Sequence, residues 1–290
     1  MDDTSRNSGN SRREALKLAA GLGLAGGAVA LAAPAIAQGA GDNTLDRVRA
    51  AKTLRIAVLP GELPYFNKDL ASGEWSGFAI EMAKDIAKTL DVKLEFTEST
   101  YGNSVLELQS GKIDLAFALS ATPQRAMVID FTTPVFSHPF GAVVKKGLEA
   151  TTWADINKKE IRIAVDAGSA NETAARRFAP NADIKALKTR DEVMLELASG
   201  RVDVVVNALI LGLTAVAKNR NLGSYKLLQK PTVAIPSCMG VRKEADKKWR
   251  DFLSTWIDYN RGIGQMREWF IKGLALSNVP AADLPVELDI

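Results

Sequence analysis

The sequence predicts an α/β protein made of two similar halves, each with a mixed, mostly parallel sheet flanked by helices. The main observation is an internal repeat, since residues 106–114 read LELQSGKID and residues 195–203 read LELASGRVD. In both copies the pattern predicts a helix that ends at a glycine in the left-handed conformation. An aspartate then opens an apolar run typical of a strand covered on both faces. Such turns are common, so a chance likeness is the alternative.

The remaining apolar patterns complete the two halves. Apolar residues recur at helical spacing over residues 78–90 and alternate over residues 92–96, which indicates a helix and a strand. Residues 141–145 and 232–241 are predicted to cross between the halves, so that the second half is inserted in the first. We divide the chain into an export signal at 1–37, an N-terminal linker at 38–53, a discontinuous lobe 1 at 54–143 and 236–290, and lobe 2 at 144–235.

The composition argues against several classes of function. The 290 residues carry a net charge of +3 without a basic block, so nucleic acid is not expected as a partner. The single cysteine, Cys238, excludes an internal disulfide. The single histidine, His138, has no Cys/His cluster around it, and we expect neither a metal site nor a cofactor.

The N-terminus is typical of an exported protein. Paired arginines at 12–13 precede a Gly/Ala-rich apolar run at 18–33, and AIA at 35–37 has the spacing that signal peptidase requires. The run is too short and too rich in glycine for a membrane span. The arginine pair favours a twin-arginine signal, with an ordinary secretory signal as the alternative. We predict cleavage near Ala37-Gln38 and a periplasmic mature chain.

Polar residues follow the predicted strand at 115–119, where the sequence reads SATPQR from Ser120 to Arg125. Ligands bind at the carboxyl ends of strands in open α/β sheets, which makes this segment a candidate site. Thr122 is placed to cap a short helix that begins with proline, leaving N–H groups for an anion. Arg125 lies in the first turn of that helix and needs an anionic partner there. The partner is either a ligand carboxylate or an acidic neighbour such as Asp130.

These segments together resemble the family 3 extracellular solute-binding proteins, which serve ABC importers of polar amino acids. The resemblance covers roughly residues 54–270, and five fragments in order carry it: GFAIEM, LQSGKID, SATPQR, VIDFT and MGVRK. It implies the type II periplasmic binding protein fold, in which two α/β lobes joined by two crossing hinge segments close on a ligand. It also implies an amino acid or related small carboxylate as ligand and ABC transporter permease subunits as partners. We expect a monomer.

The resemblance also implies roles for individual residues. In the family, the arginine after Thr-Pro-x grips the α-carboxylate of the ligand, which makes Arg125 the candidate here. Ser120 and Thr122 match residues that add hydrogen bonds to that carboxylate. The turn Gly168-Ser169-Ala170 opens a helix in lobe 2 and matches a turn that the family uses for ligand. Capping of that helix by Ser169 is compatible with the same role.

Three further positions stay open. Tyr101 matches a position that lines the family pocket, with packing in the core as the alternative. Glu62 follows the first strand, where many relatives place an aromatic lid, and a solvated loop residue is the alternative. The family aspartate that pairs with the α-ammonium of the ligand is replaced by Ala208, or by Asn207 if the register slips by one. Glu62 could supply the missing charge, Asn207 could accept a weaker hydrogen bond, or the ligand could lack an α-amine.

Two other functions are compatible with this fold. Some periplasmic dehydratases that act on prephenate or arogenate share it, and Glu62 facing Arg125 is the candidate general acid. The sequence shows no second acid–base group nearby, so we expect a binding protein rather than an enzyme. The other alternative is a sensor that presents its closed form to a membrane receptor, which the sequence does not separate from an importer.

Overall fold

The computed structural model describes residues 43–280, and the predicted export signal at 1–37 lies outside them. Its strands are β1 (Thr53–Val58), β2 (Asn67–Lys68), β3 (Trp75–Ser76), β4 (Lys93–Glu98), β5 (Ala116–Ser120), β6 (Ile129–Val144), β7 (Arg162–Asp166), β8 (Asp183–Leu187), β9 (Val204–Ala208), β10 (Ser224–Leu227) and β11 (Ala234–Arg242). Its helices are α1 (Thr44–Ala51), α2 (Phe78–Leu90), α3 (Tyr101–Ser110), α4 (Pro123–Ala126), α5 (Trp153–Ile156), α6 (Ala170–Phe178), α7 (Arg190–Ala198), α8 (Leu209–Lys218), α9 (Lys248–Gly262) and α10 (Gln265–Ala275). Helix α1 occupies part of the stretch predicted as a linker. Over the described range, no helix has the length and apolar character needed to cross a bilayer.

The strands form two sheet regions that share β6. In the first, β4 pairs with β1, β1 bonds to the segment leading into β5, and β11 lies between β5 and the first part of β6. In the second, the end of β6 lies between β10 and β9, and β9 continues through β7 to β8. We call these regions, with their helices, lobe 1 and lobe 2. Apart from the separate two-stranded β2–β3 sheet, which is antiparallel, the antiparallel pairs involve β6 or β11 and the other pairs are parallel, which confirms the predicted mixed α/β architecture.

The internal repeat has the same geometry in both lobes. Gly111 after α3 and its counterpart after α7 have φ angles of 70° and 71°, the left-handed conformation predicted for them. Asp114 accepts hydrogen bonds from the backbone and the guanidinium of Arg55 in β1. In lobe 2, Asp203 accepts the same set from Arg162 in β7. Each aspartate therefore ties the end of a helix to the first strand of its lobe, which favours a true repeat over a chance likeness.

The last two helices, α9 and α10, pack on lobe 1. Helix α2 has the bounds predicted from its apolar spacing, and its first residue, Phe78, meets Phe270 of α10 edge-on at 5.2 Å between ring centroids. In α9, the buried Trp249 donates its indole N–H to the carbonyl of Asp114 at 2.9 Å. The chain thus leaves lobe 1 through β6, builds lobe 2, and returns through β11.

Candidate ligand-binding site

Arg125 lies between the two lobes on a backbone fixed by a helix cap. The hydroxyl of Thr122 accepts a hydrogen bond from the Arg125 N–H at 3.3 Å and caps α4, as the sequence predicted. The guanidinium donates to the carbonyl of Ser120 at 3.1 Å and to that of Gly168, in lobe 2, at 2.9 Å. The residue is 9% exposed. A buried cation is therefore held by backbone carbonyl groups from both lobes.

No carboxylate pairs with this guanidinium within residues 43–280. Asp130, the acidic neighbour that offered a structural alternative, pairs instead with Lys247. Burial lowers the pKa of Arg125 below its ordinary value, as expected for a cation that has lost water without gaining an anion. The structural alternative is therefore not formed, and the charge is available to a ligand.

A small cavity of about 20 Å³ lies beside Arg125, between the lobes. Four other residues that were predicted to bind ligand line it: Tyr101, Ser120, Ser169 and Ala170. Ala208, the predicted counterpart of the family aspartate, also lines it, as do five residues that the sequence did not single out for this role: Ala118, His138, Phe140, Asn171 and Leu211. The lining thus contains one cation, several neutral polar groups and no carboxylate.

The glycine turn of lobe 2 approaches the cleft as predicted. The backbone N–H groups at the N-terminus of its helix, however, already form hydrogen bonds with side chains of the same turn. Gly168 has a φ of 70°, and an added Cβ would lie 3.4 Å from the Cα of Gly102 in lobe 1. Its N–H donates to the carboxylate of Glu172 at 2.8 Å, and Ser169 accepts the Glu172 N–H at 3.2 Å. The capping role of Ser169 is therefore realised. Gly168 contributes its carbonyl, not its N–H, to the site.

Alternation along β9 decides which residue faces the cavity. Ala208 lines the cavity, whereas Asn207 is fully buried and does not line it. The side-chain amide of Asn207 has no hydrogen-bond partner in the part of the chain that the structure describes. Because neighbouring residues of a strand point to opposite faces, the two cannot both reach the ligand. The position predicted for an ammonium partner therefore carries an alanine methyl group.

Glu62 belongs to a separate buried cluster where the lobes meet. Its carboxylate accepts hydrogen bonds from Tyr101 Oη at 2.9 Å and from Arg190 Nε, in lobe 2, at 3.2 Å. Arg190 also pairs with Asp166, so one guanidinium faces two carboxylates. Burial, only partly opposed by Arg190, raises the pKa of Glu62 from 4.5 to about 7. Burial acts against the charge of Arg190, but Asp166 and Glu62 outweigh it, and the pKa of Arg190 is raised.

The cluster resolves two of the alternatives left by the sequence. Glu62 is 3% exposed, so it is not a solvated loop residue, and it does not line the cavity beside Arg125. Tyr101 is buried and lines the cavity, while its hydroxyl is directed to Glu62. Arg190 and Asp166 were missed by the sequence reasoning. Among residues 43–280, no group of His, Cys, Asp and Glu side chains is arranged to hold a metal ion.

Comparison with known protein families identifies the relatives of this two-lobed chain. Residues 54–268, well over half of the chain, match the bacterial extracellular solute-binding proteins, family 3. The chain belongs to this family. Among curated family 3 relatives, the ABC transporter glutamine-binding protein GlnH of Bacillus subtilis is 31% identical over 182 residues, which cover 61% of this chain and 64% of GlnH. The match therefore spans slightly less than two thirds of that relative.

Two further comparisons, one of sequence and one of structure, extend the match to this family 3 protein. The histidine-binding periplasmic protein of Salmonella typhimurium is 27% identical over 223 residues, which cover 74% of this chain and 82% of that protein. The crystal structure of the ancestral amino acid-binding protein AncCDT-1, a precursor of cyclohexadienyl dehydratase, aligns with a TM-score of 0.71 at 28% identity. That alignment covers 79% of this chain and 99% of AncCDT-1. The two-lobed binding-protein fold predicted from the sequence is confirmed.

Proposed function

We propose that this chain is the substrate-binding component of an ABC importer and that it captures a small carboxylate solute, an amino acid or an analogue, between its lobes. The observation that carries this proposal is Arg125, a buried cation at an interlobe cavity with no carboxylate partner within residues 43–280. A ligand carboxylate supplies that partner through two parallel N–H···O bonds. The glutamine- and histidine-binding relatives support the ligand class and the importer.

The contacts of Arg125 explain how a ligand favours closure. The guanidinium touches the carbonyl of Ser120 in lobe 1 and that of Gly168 in lobe 2. A carboxylate bound to Arg125 lies where the lobes meet, so its contacts with the lobe 2 residues Ser169 and Asn171 form only when the lobes are closed. A ligand that binds one conformation better shifts the population toward it. The permease subunits then recognise closed lobes; a membrane receptor is the alternative partner, since it would recognise the same state.

The α-amine of an amino acid has no acidic partner in this cavity. Ala208 occupies the predicted position, and Asn207 does not line the cavity. Glu62 is engaged by Arg190 and Tyr101. An ammonium buried without its partner forfeits about 2–5 kcal/mol, against about 8 kcal/mol for a whole micromolar complex. Of the three outcomes that the sequence left open, a ligand without an α-amine is the best supported.

The organisation of the chain is part of the proposal. We assign residues 1–37 to an export signal that delivers the protein to the periplasm, with the family's extracellular description as support. Lobe 1 comprises residues 54–143 and 236–290, and lobe 2 comprises residues 144–235. The passage of β6 and β11 between the two sheet regions supports a discontinuous lobe 1 with two crossings, although residues 140–143 of β6 already pair with β9 of lobe 2, so that β6 crosses a few residues before the proposed boundary at 143/144.

A screen of carboxylates tests the proposed function. The bound small molecule is identified by mass spectrometry of the purified protein, and a thermal-shift series with carboxylates follows. We expect Tm to rise with the ratio of ligand concentration to Kd and the radius of gyration in small-angle scattering to fall as the lobes close. The primary amides of the same compounds are the matched controls and should give no shift. Equal stabilisation by the amides, or no shift with any carboxylate, contradicts the proposal.

A dehydratase acting on prephenate or arogenate is a second candidate. AncCDT-1 is a precursor of cyclohexadienyl dehydratase, and the pKa of Glu62, raised to about 7, is in the range of a general acid. Glu62 does not line the cavity beside Arg125, however, and Arg190 and Tyr101 hold its carboxylate. We therefore expect no turnover of either compound in a product assay. Turnover that disappears in Glu62→Gln would establish the enzyme instead.

A further inference from the structure

His138 lies in the cavity beside Arg125 without a polar partner. It is the only histidine of the chain, it is 5% exposed, and neither ring nitrogen forms a hydrogen bond with any described residue. Phe136 and Phe140, on the same face of β6, meet its ring edge-on at centroid distances of 5.6 and 5.4 Å. A buried donor or acceptor without a partner is costly and rare in native structures. The imidazole of His138 therefore requires a polar group inside the cavity as its hydrogen-bond partner.

The imidazole is neutral in this environment. Burial lowers the pKa of His138 to about 4, because the charged form would lose its hydration and find no carboxylate among the lining residues. A neutral imidazole offers one N–H donor and one nitrogen acceptor. The cavity thus presents Arg125, suited to a carboxylate, and His138, suited to a neutral hydroxyl or carbonyl group.

The nearby acidic side chains, Glu62 and Asp166, do not line this cavity. Glu62 and Asp166 line a different cleft, where Arg190 pairs with both. On the side of the cavity, Tyr101 donates its hydroxyl to Glu62, and Asn171 donates its amide to Asp166 at 3.3 Å. These neutral side chains line the cavity in place of the carboxylates. An ammonium group there would face a guanidinium and neutral dipoles, with no anion in contact.

Resting on the proposed function, we infer that His138 is a specificity-determining ligand contact and that the site selects small monocarboxylates whose second polar group is a hydroxyl or a carbonyl. A 2-hydroxy acid donates to the free imidazole nitrogen, and a 2-oxo acid accepts from the imidazole N–H. Both leave the carboxylate on Arg125 and add no second positive charge. The apolar part of the ligand then contacts Phe140, Ala208 and Leu211, which line the same cavity.

The first test compares ligands that differ only at carbon 2. Calorimetry on the full-length mature protein uses pyruvate, lactate and alanine, and then 3-methyl-2-oxobutanoate, 2-hydroxy-3-methylbutanoate and valine. We expect the oxo or hydroxy acid to bind about tenfold or more tightly than the amino acid of the same skeleton. An amino acid that binds as tightly as its counterparts overturns the inference and leaves the proposed function standing. Binding of none of the six, when another carboxylate binds in the screen, also overturns it; failure of every carboxylate overturns the proposed function.

The second test separates a ligand contact from a structural histidine. His138→Leu removes the hydrogen-bonding groups, so we expect an unchanged or higher Tm without ligand, because an unpaired buried polar group is lost. The same variant should bind the preferred oxo or hydroxy acid about tenfold or more weakly. His138→Gln, which keeps a donor and an acceptor, is the matched control and should retain part of the preference. Unchanged affinity in His138→Leu contradicts the role of His138, whatever the ligand preference.

Discussion

Arg125→Ala is expected to weaken carboxylate binding by about 2–5 kcal/mol, which corresponds to roughly 30-fold to several thousand-fold in Kd. The loss is large because the substitution leaves the carboxylate of the ligand buried without its charge partner. Isothermal calorimetry with the carboxylate identified in the screen measures it directly. The cavity offers no second cation, since Arg125 is the only lysine or arginine among its lining residues.

The same substitution should leave the fold intact. Arg125 has no carboxylate partner among residues 43–280, and its guanidinium bonds only to the carbonyls of Ser120 and Gly168 there. Removing a desolvated cation offsets the loss of those two bonds, so we expect Tm without ligand to change little. A large drop in Tm would mean that Arg125 is structural.

Two further variants sharpen the interpretation. Arg125→Lys keeps the charge but loses the planar fork that bonds both carboxylate oxygens, so we expect an intermediate affinity. Arg250→Ala removes an arginine of α9 whose partner, Asp251, lies on the exposed surface, and it should bind like the unaltered protein. Unchanged affinity in Arg125→Ala would remove the basis of the proposed function.

The features that the sequence predicted well are those decided by local chemistry. The left-handed glycine after the repeated helix, the bounds of α2 and the cap of α4 by Thr122 each depend on a few neighbouring residues. Arg125 could be found for the same reason, because a positive charge in the first turn of a helix indicates a missing partner. Such signals need no knowledge of how the lobes meet.

The features that the sequence missed depend on contacts between distant segments. Glu62 and Arg190 are 128 residues apart, and only the approach of the lobes brings them together. A lone histidine in an apolar strand is typical of a core residue, so His138 was considered only as a metal ligand and was not predicted to contact a ligand. Its alternation with Phe140 along β6 was a usable signal, since two residues on the same face of a crossing strand reach the same cleft.

Arg190→Met is expected to lower the free energy of unfolding by about 3–5 kcal/mol. The substitution leaves the carboxylates of Glu62 and Asp166 buried, 3% exposed each, without the cation that both contact. Methionine fills much of the same volume, so the effect reports the lost charge more than a cavity. Denaturant unfolding monitored by tryptophan fluorescence measures the change.

Arg201→Met is the matched control on the neighbouring surface. Arg201 follows α7 and pairs with Glu196, but about half of its side chain is exposed at 53%. Exposed pairs contribute about 0–1 kcal/mol, so this variant should be close to the unaltered protein in stability. A cost for Arg190→Met no greater than that of Arg201→Met would contradict the buried cluster.

The pH dependence of the same variants tests whether the lobes are closed in solution. In the closed protein burial raises the pKa of Glu62 from 4.5 to about 7, so over this window the folded state holds a proton that the unfolded state has released. The free energy of unfolding of the unaltered protein should therefore fall as pH rises through the window, relative to Glu62→Gln.

The loss of stability caused by Arg190→Met should likewise be larger at about pH 8 than at about pH 5.5, because ionised carboxylates are more strongly destabilised than protonated ones when the cation is removed. Open lobes would expose Glu62 to water while Arg190 and Asp166 stayed paired within lobe 2. Parallel pH profiles for Glu62→Gln and the unaltered protein would then show that the carboxylate of Glu62 is not buried without ligand.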